Sequence, residues 1–242
     1  TFRSVSLAPP IPAAAPTLLA RTQAPDGFAE TTVPRVFHFR VASTQTGDSS
    51  PIDLDDGAAN TAWRENKGGF GRGDFVTARA AARGSKIRAL RIVPGDASST
   101  RAFAQRNRLK RLWIVPATGP GYVVKFARDP ATERPRPAVP YWVRFDPPLE
   151  TPCLSAVIDE VYPGRGAGPG EGETAISELA VLTDLDRSEA ALLSLWTQQV
   201  ADGGRDASNA EALLAHEGSR GAQAALAALA GTHDPEAERR LR

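Results

Sequence analysis

At 242 residues, with 41% hydrophobic and 24% charged residues, the chain holds one substantial domain plus something smaller. A net charge of +1 excludes a partner selected by bulk charge, whether nucleic acid or an acidic membrane surface. The single cysteine, Cys153, excludes an intrachain disulfide and any cysteine-based zinc site. No apolar run approaches the roughly 18 residues that a membrane helix needs.

Residues 1–29 carry Ala-Pro-Pro-Ile-Pro-Ala-Ala-Ala-Pro, a composition that favours extended polyproline over a core of its own. Two readings stay open: a linker, or an arm that packs on a partner or back on the domain through Leu18 and Leu19. The chain begins at Thr1, so a processed or excised piece is expected, with any signal or anchor outside it. From Val36 to Val41 the residues alternate as in a strand, and 87–93 and 109–115 do likewise. Further strands are predicted over 122–126, 141–145, 154–161 and 176–182. Turns such as Gly119-Pro120-Gly121 and Asp146-Pro147-Pro148 separate them. Phe75 to Arg83 is ambiguous, because its Ala-rich tail reads equally as helix. Cys153 lies in an apolar run and reads as a small buried hydrophobe.

After Asp184 the texture changes, and so does the charge: net −4 from there on, against +5 before it. Leu192, Leu193, Trp196 and Val200 fall on one helical face. Ser208-Asn209-Ala210-Glu211 reads as a capping box opening a second helix. A third continues through Ala222, Leu226 and Leu229 to a stop at Gly231, and Asp234-Pro235 starts a fourth. Such short Ala-rich helices are expected either as an appendage or as the edge of a HEAT-like solenoid.

One stretch carries more chemistry than the rest: Ile52-Asp53-Leu54-Asp55-Asp56-Gly57-Ala58-Ala59-Asn60-Thr61-Ala62-Trp63-Arg64-Glu65. Asp-Gly marks a tight turn, and Asp, Asn and Thr oxygens within a few positions suit a hard cation such as Ca²⁺. An EF-hand is excluded, because residue 52 is Ile where that loop needs Asp. Asp-Gly-x-x-x-Thr-x-Trp resembles the first loop of discoidin, or F5/8 type C, domains. The finer pattern is similar to the bacterial NADase-type glycan-binding branch. Its pieces follow in order: Trp63-Arg64-Glu65 with Gly71-Arg72-Gly73-Asp74, then Asn107-Arg108-Leu109-Lys110, Val161-Tyr162-Pro163-Gly164, and Thr174-Ala175-Ile176-Ser177-Glu178-Leu179.

The resemblance covers roughly residues 33 to 183. It implies a mainly β, antiparallel, galactose-binding-like jelly roll at 30–185, between the 1–29 arm and an α-helical appendage at 186–242. It also implies a structural Ca²⁺ held by Asp56, Asn60 and Thr61 and closed by Glu178 on the last strand. The alternative is that Asp56 and Thr61 only cap their turn while Glu178 bonds backbone or Arg. Glu65, Phe70, Arg106, Asn107 and Arg108 are the ligand-binding candidates; Glu65, Asn107 and Arg108 could equally form an internal network. Trp63, Trp113 and Trp142 offer either an aromatic sugar platform or core packing. The basic run at Arg101, Arg106, Arg108, Lys110 and Arg111 is either an anion site or a solvated face.

Catalysis finds no motif. His38, His216 and His233 lack a nucleophile pattern, and strand alternation separates Asp159 from Glu160. Gly164 to Gly170 lacks the ending of a phosphate loop and reads as a plain connection. The resemblance implies a non-enzymatic recognition module of an extracytoplasmic bacterial protein, periplasmic or at the cell surface, binding glycan or another surface ligand through its loops. The alternative is an adaptor subunit of a cell-envelope assembly, docking a protein partner through its arm and helices.

Overall fold

The computed structural model describes residues 15–29, 32–67, 69–80, 85–133, 136–165, 172–187, 189–203, 207–231 and 235–241. The chain divides into two compact units, Thr1–Thr183 and Asp184–Arg242. The Ala-rich tail beyond residue 80, most of the Gly-rich connection after Arg165, and His233 and Asp234 fall outside the described residues.

Among the described residues, ten strands build the first unit: β1 (Thr17–Leu19), β2 (Phe37–Ala42), β3 (Trp63–Arg64), β4 (Phe75–Ala80), β5 (Lys86–Pro94), β6 (Arg108–Pro116), β7 (Tyr122–Lys125), β8 (Tyr141–Glu150), β9 (Cys153–Tyr162) and β10 (Ala175–Thr183). They form a six-stranded sheet, β1-β7-β6-β9-β4-β2, and a four-stranded sheet, β3-β10-β5-β8. All pairings between them are antiparallel except that of β1 with β7. Alternation fixes which side chains meet between the sheets. Val76, Ala78, Leu112, Ile114, Leu154, Ala156 and Ile158, all buried, line the inner face of the larger sheet. Edge-to-face contacts of Tyr122 with Phe145 and of Phe126 with Tyr141, both at 5.3 Å, join the two layers. The ambiguous segment at Phe75 is strand. β8 runs on through Pro147 and Pro148, where a turn was expected. It lies at the border of its sheet, where a missing N–H breaks no ladder on the open side.

The outer face of the four-stranded sheet is covered at β10 and open at Arg144 and Asp146 of β8. β10 is buried along its whole length, so both of its faces are packed. Phe28 covers one end of that face, packing with Ala89, Trp142, Ala180 and Leu182, its ring 6.5 Å from that of Trp142. The segment that delivers Phe28 begins as β1 on the border of the larger sheet. It then exchanges two backbone hydrogen bonds with the other sheet, Arg21 N–H to Trp142 O (2.9 Å) and Trp142 N–H to Arg21 O (2.6 Å). Residues 15–29 thus pack back on the sandwich, the second of the two readings that the sequence left open. Leu18 is half-buried and Leu19 is exposed, so the backbone and Phe28 hold the segment more than the two leucines do.

Two short helices, α1 (Thr100–Gln105) and α2 (Pro130–Glu133), lie in the first unit; in the second, α3 (Glu189–Asp202) buries Leu192, Trp196 and Val200. Leu193, expected on that face, is half-buried. α4 (Ala207–His216) contributes Ala210 and Leu214, and α6 (Pro235–Leu241) contributes Ala237. α5 (Ser219–Gly231) ends at the predicted glycine, with Leu226 exposed. α4 starts one residue before the predicted cap, which puts Ser208 inside its first turn.

Candidate ligand-binding end of the sandwich

Just after β3, Glu65 is fully buried. Its carboxylate accepts the Thr174 N–H (2.9 Å) and the Lys67 N–H (2.5 Å). Burial pushes this carboxyl above its ordinary 4.5, and the two backbone N–H groups offset part of the rise. The chain then turns through Gly71, whose φ of +66° suits glycine and where a Cβ would lie 2.5 Å from Glu65 Cγ. Phe70 shares the left-handed conformation at φ 67° and is half-buried. Its carbonyl accepts the Thr174 hydroxyl at 2.8 Å. An aromatic residue in that region is strained unless its surroundings fix it, and such positions cluster at binding sites.

The neighbouring loops are locked in the same manner. Asn107, with no exposed surface, donates to Gly172 O (2.9 Å) and accepts the Gly164 N–H (2.9 Å). Gly164 is required by closeness: a Cβ there would stand 1.9 Å from Gln105 O. Arg108 faces Asp129 with two bonds (2.8 and 3.0 Å) and also donates to the carbonyls of Phe103 (2.9 Å), Arg106 (2.7 Å) and Pro163 (2.9 Å). That arrangement engages the whole guanidinium fork. Arg106 pairs with Asp96 at 2.8 Å and with Glu173, and it remains partly exposed.

The five ligand-binding candidates therefore separate. Phe70 and Arg106 reach the surface of this end. Glu65, Asn107 and Arg108 are sealed, their polar atoms committed to tying the 65–74, 95–108 and 163–174 loops together. For these three the ligand-contact expectation is corrected to the internal network. A buried, fully bonded arginine has no lone donor left for a ligand.

The metal candidates lie elsewhere on the sandwich. Asp56 accepts the Ala58 N–H (2.8 Å) and the Thr61 hydroxyl (2.9 Å), so it closes its own turn, while Asn60 is exposed. Glu178 faces the buried Arg91 guanidinium, 3.3 Å from its nearest nitrogen. Burial pushes the Glu178 carboxyl upward from 4.5, Arg91 pulls it down, and the Asp56 charge pushes it up again. The acidic loop and the last strand are neighbours, as the resemblance implies. Ca²⁺ takes about six to eight oxygens. Here Arg91 already meets Glu178, and among the described residues no three His, Cys, Asp or Glu side chains converge on a metal-sized point. The donor set fits an arginine-neutralised clip better than a calcium shell.

Four further expectations can be placed. Trp63 and Trp142 are core, whereas Trp113 is only half-buried. The basic run does not form one face: Arg108 is buried, Arg101 is exposed, and Arg111 turns to Asp159 and Glu160. Those two carboxylates reach the same guanidinium, although strict alternation sets them on opposite sides. The ladder between β6 and β9 shifts register on both sides of Arg111, which re-aims the side chains there. Asp159 escaped sequence reasoning for that reason. Cys153 is half-buried at the start of β9 and not a core residue.

Comparison with solved structures gives matches at low identity. One is the family 32 carbohydrate-binding module of Clostridium perfringens NanJ in complex with galactose, at 16% identity and a TM-score of 0.42, covering 60% of this chain and 98% of that one. Another is the third such module of a family 31 glycoside hydrolase from Clostridium perfringens, at 11% identity and a TM-score of 0.43, covering 59% and 88%. A third is the module of AlyQ in complex with 4,5-unsaturated mannuronic acid, at 14% identity and a TM-score of 0.42, covering 62% and 96%. Comparison with curated proteins returns no match. Residues 31–181 match the profile described as the NAD glycohydrolase translocation F5/8 type C domain. That span is more than half of the chain and contains the sealed loop network, so the chain belongs to the family of NAD glycohydrolase translocation F5/8 type C domains.

Proposed function

We propose that the first unit is a non-catalytic glycan-recognition module of an extracytoplasmic bacterial protein, contacting its ligand at the loop end through Phe70 and Arg106. The observation that carries this reading is the division of labour at that end. Glu65, Asn107 and Arg108 fix three loops from within, which leaves a strained, half-buried aromatic and a partly exposed guanidinium at the surface. Membership of an F5/8 type C family supports it. A rigid base presenting a few surface groups suits recognition more than turnover.

The adaptor reading has less support. Leu226 is the exposed large apolar side chain among the described residues of the second unit, and a lone leucine is ordinary surface. No helix of the described residues is long and apolar enough to cross a membrane.

A glycan array followed by calorimetry tests the proposal. Phe70→Ala and Arg106→Ala are expected to weaken a specific glycan hit about tenfold each, measured where each variant is shown to be folded, since Arg106 also pairs with the buried Asp96. A hit indifferent to both variants would move the site away from the loop end.

A further inference from the structure

Trp113 is an aromatic residue that the core does not use, and its surroundings are built. Antiparallel partners share a face of the sheet. Phe75 pairs with Val157, Val157 with Trp113, and Trp113 with Val123, so these four cross the outer face of the six-stranded sheet in one row. Phe75 and Trp113 are half-buried and flank the buried Val157. Two strand spacings separate them, roughly 10 Å, the scale of one or two sugar rings. On one side of the row the Thr77 and Ser155 hydroxyls share a hydrogen bond of 2.8 Å.

On the other side lies Asp159, its side chain 6% exposed. It accepts the Trp113 indole N–H at 2.7 Å, which fixes the ring. It also accepts from Arg111 and pairs with Arg72 at 3.2 Å. Arg111 continues to Glu160 at 2.5 Å, through the register shift described above. The Arg72 side chain is 73% exposed, and the exposed Lys125 stands opposite Arg111 in the ladder. Arg72, Arg111 and Lys125 outnumber Asp159 and Glu160, and Lys110 also pairs with Glu160 at 3.0 Å. The rim is therefore positive, with a guanidinium fork at its open edge.

We propose that this sheet face is a second ligand platform, on which Trp113 and Phe75 stack a sugar ring while Arg72, beside Arg111 and Lys125, takes a carboxylate carried by that sugar. A flat aromatic surface recognises the apolar face of a pyranose, and an arginine fork matches a carboxylate with two parallel bonds. A neutral sugar would leave the positive rim without a counter-charge. The ligand class rests on the glycan reading above; the location is independent of it.

The experiment is a glycan array carrying sialylated, uronate-bearing and neutral chains, followed by titration of the best acidic hit with the full chain. Acidic hits are expected, weakened by raised salt and at least tenfold by Arg72→Ala and by Trp113→Ala. Because Trp113 is partly packed, Arg72→Ala, which removes an exposed side chain, keeps the test decisive if the tryptophan variant fails to fold. Acidic hits lost only in Phe70→Ala or Arg106→Ala would overturn the sheet platform and leave the glycan reading standing. Hits confined to neutral chains would overturn the carboxylate assignment, and an array without hits would overturn both readings.

Discussion

Glu65 and Gly71 depend on each other's dimensions. With φ at +66° and Glu65 Cγ 2.5 Å from any added Cβ, Gly71→Ala must strain the backbone and displace the carboxylate that holds Thr174. A loss of about 1–3 kcal/mol is expected, read as a lower denaturation midpoint. Glu65 itself is set by burial, which raises its folded pKa above 4.5. A raised carboxyl pKa means that the folded state holds the proton more tightly. Its favourable contribution is complete below the ordinary value and is lost as pH rises through the folded one. Denaturation at a series of pH values should therefore show wild type losing stability relative to Glu65→Gln as pH climbs from 4.5 into that window. A difference that stays flat with pH would remove the burial argument. Residue identity alone did not reveal which of the polar candidates face solvent. For Asn107 and Arg108 both a ligand grip and an internal network stayed open, because their partners, Gly172, Gly164 and Asp129, are distant in sequence and carry no pattern.

The strands were legible where apolar and polar residues alternate, as in Phe37-His38-Phe39-Arg40 of β2, because a half-buried sheet enforces that period. They were not legible where it is interrupted. β1 is too short to show a period, β8 contains two prolines that read as a turn, and the shift at Arg111 defeats the rule that adjacent residues point apart. The link between the acidic loop and β10 was legible through the family resemblance. The arginine was not, since Arg91 is one charge inside an apolar run. That arginine changes the expectation for calcium. With the β5 guanidinium against the β10 carboxylate, addition of Ca²⁺ to chelated protein should leave the melting temperature unchanged. Arg91→Met should instead lower it, because Glu178 would then be buried without its counter-ion. A clear Ca²⁺-dependent rise, abolished by Asp56→Ala, would restore the calcium reading.

At the scale of the molecule, the two units differ in how much of their organisation local pattern could reveal. The helices of the second follow their apolar spacing, whereas the first is held by pairings between distant segments. The family profile begins at residue 31, yet β1 and Phe28 lie before it. A fragment trimmed to that boundary would strip the open margins of β7 and β8 and bare the Trp142 patch. Unpaired margins of this kind recruit other chains. Size-exclusion chromatography of a version starting at residue 30 should thus reveal self-association that a version starting at residue 15 lacks. Residues 15–29 would then form a hem that keeps one molecule from being stitched to the next.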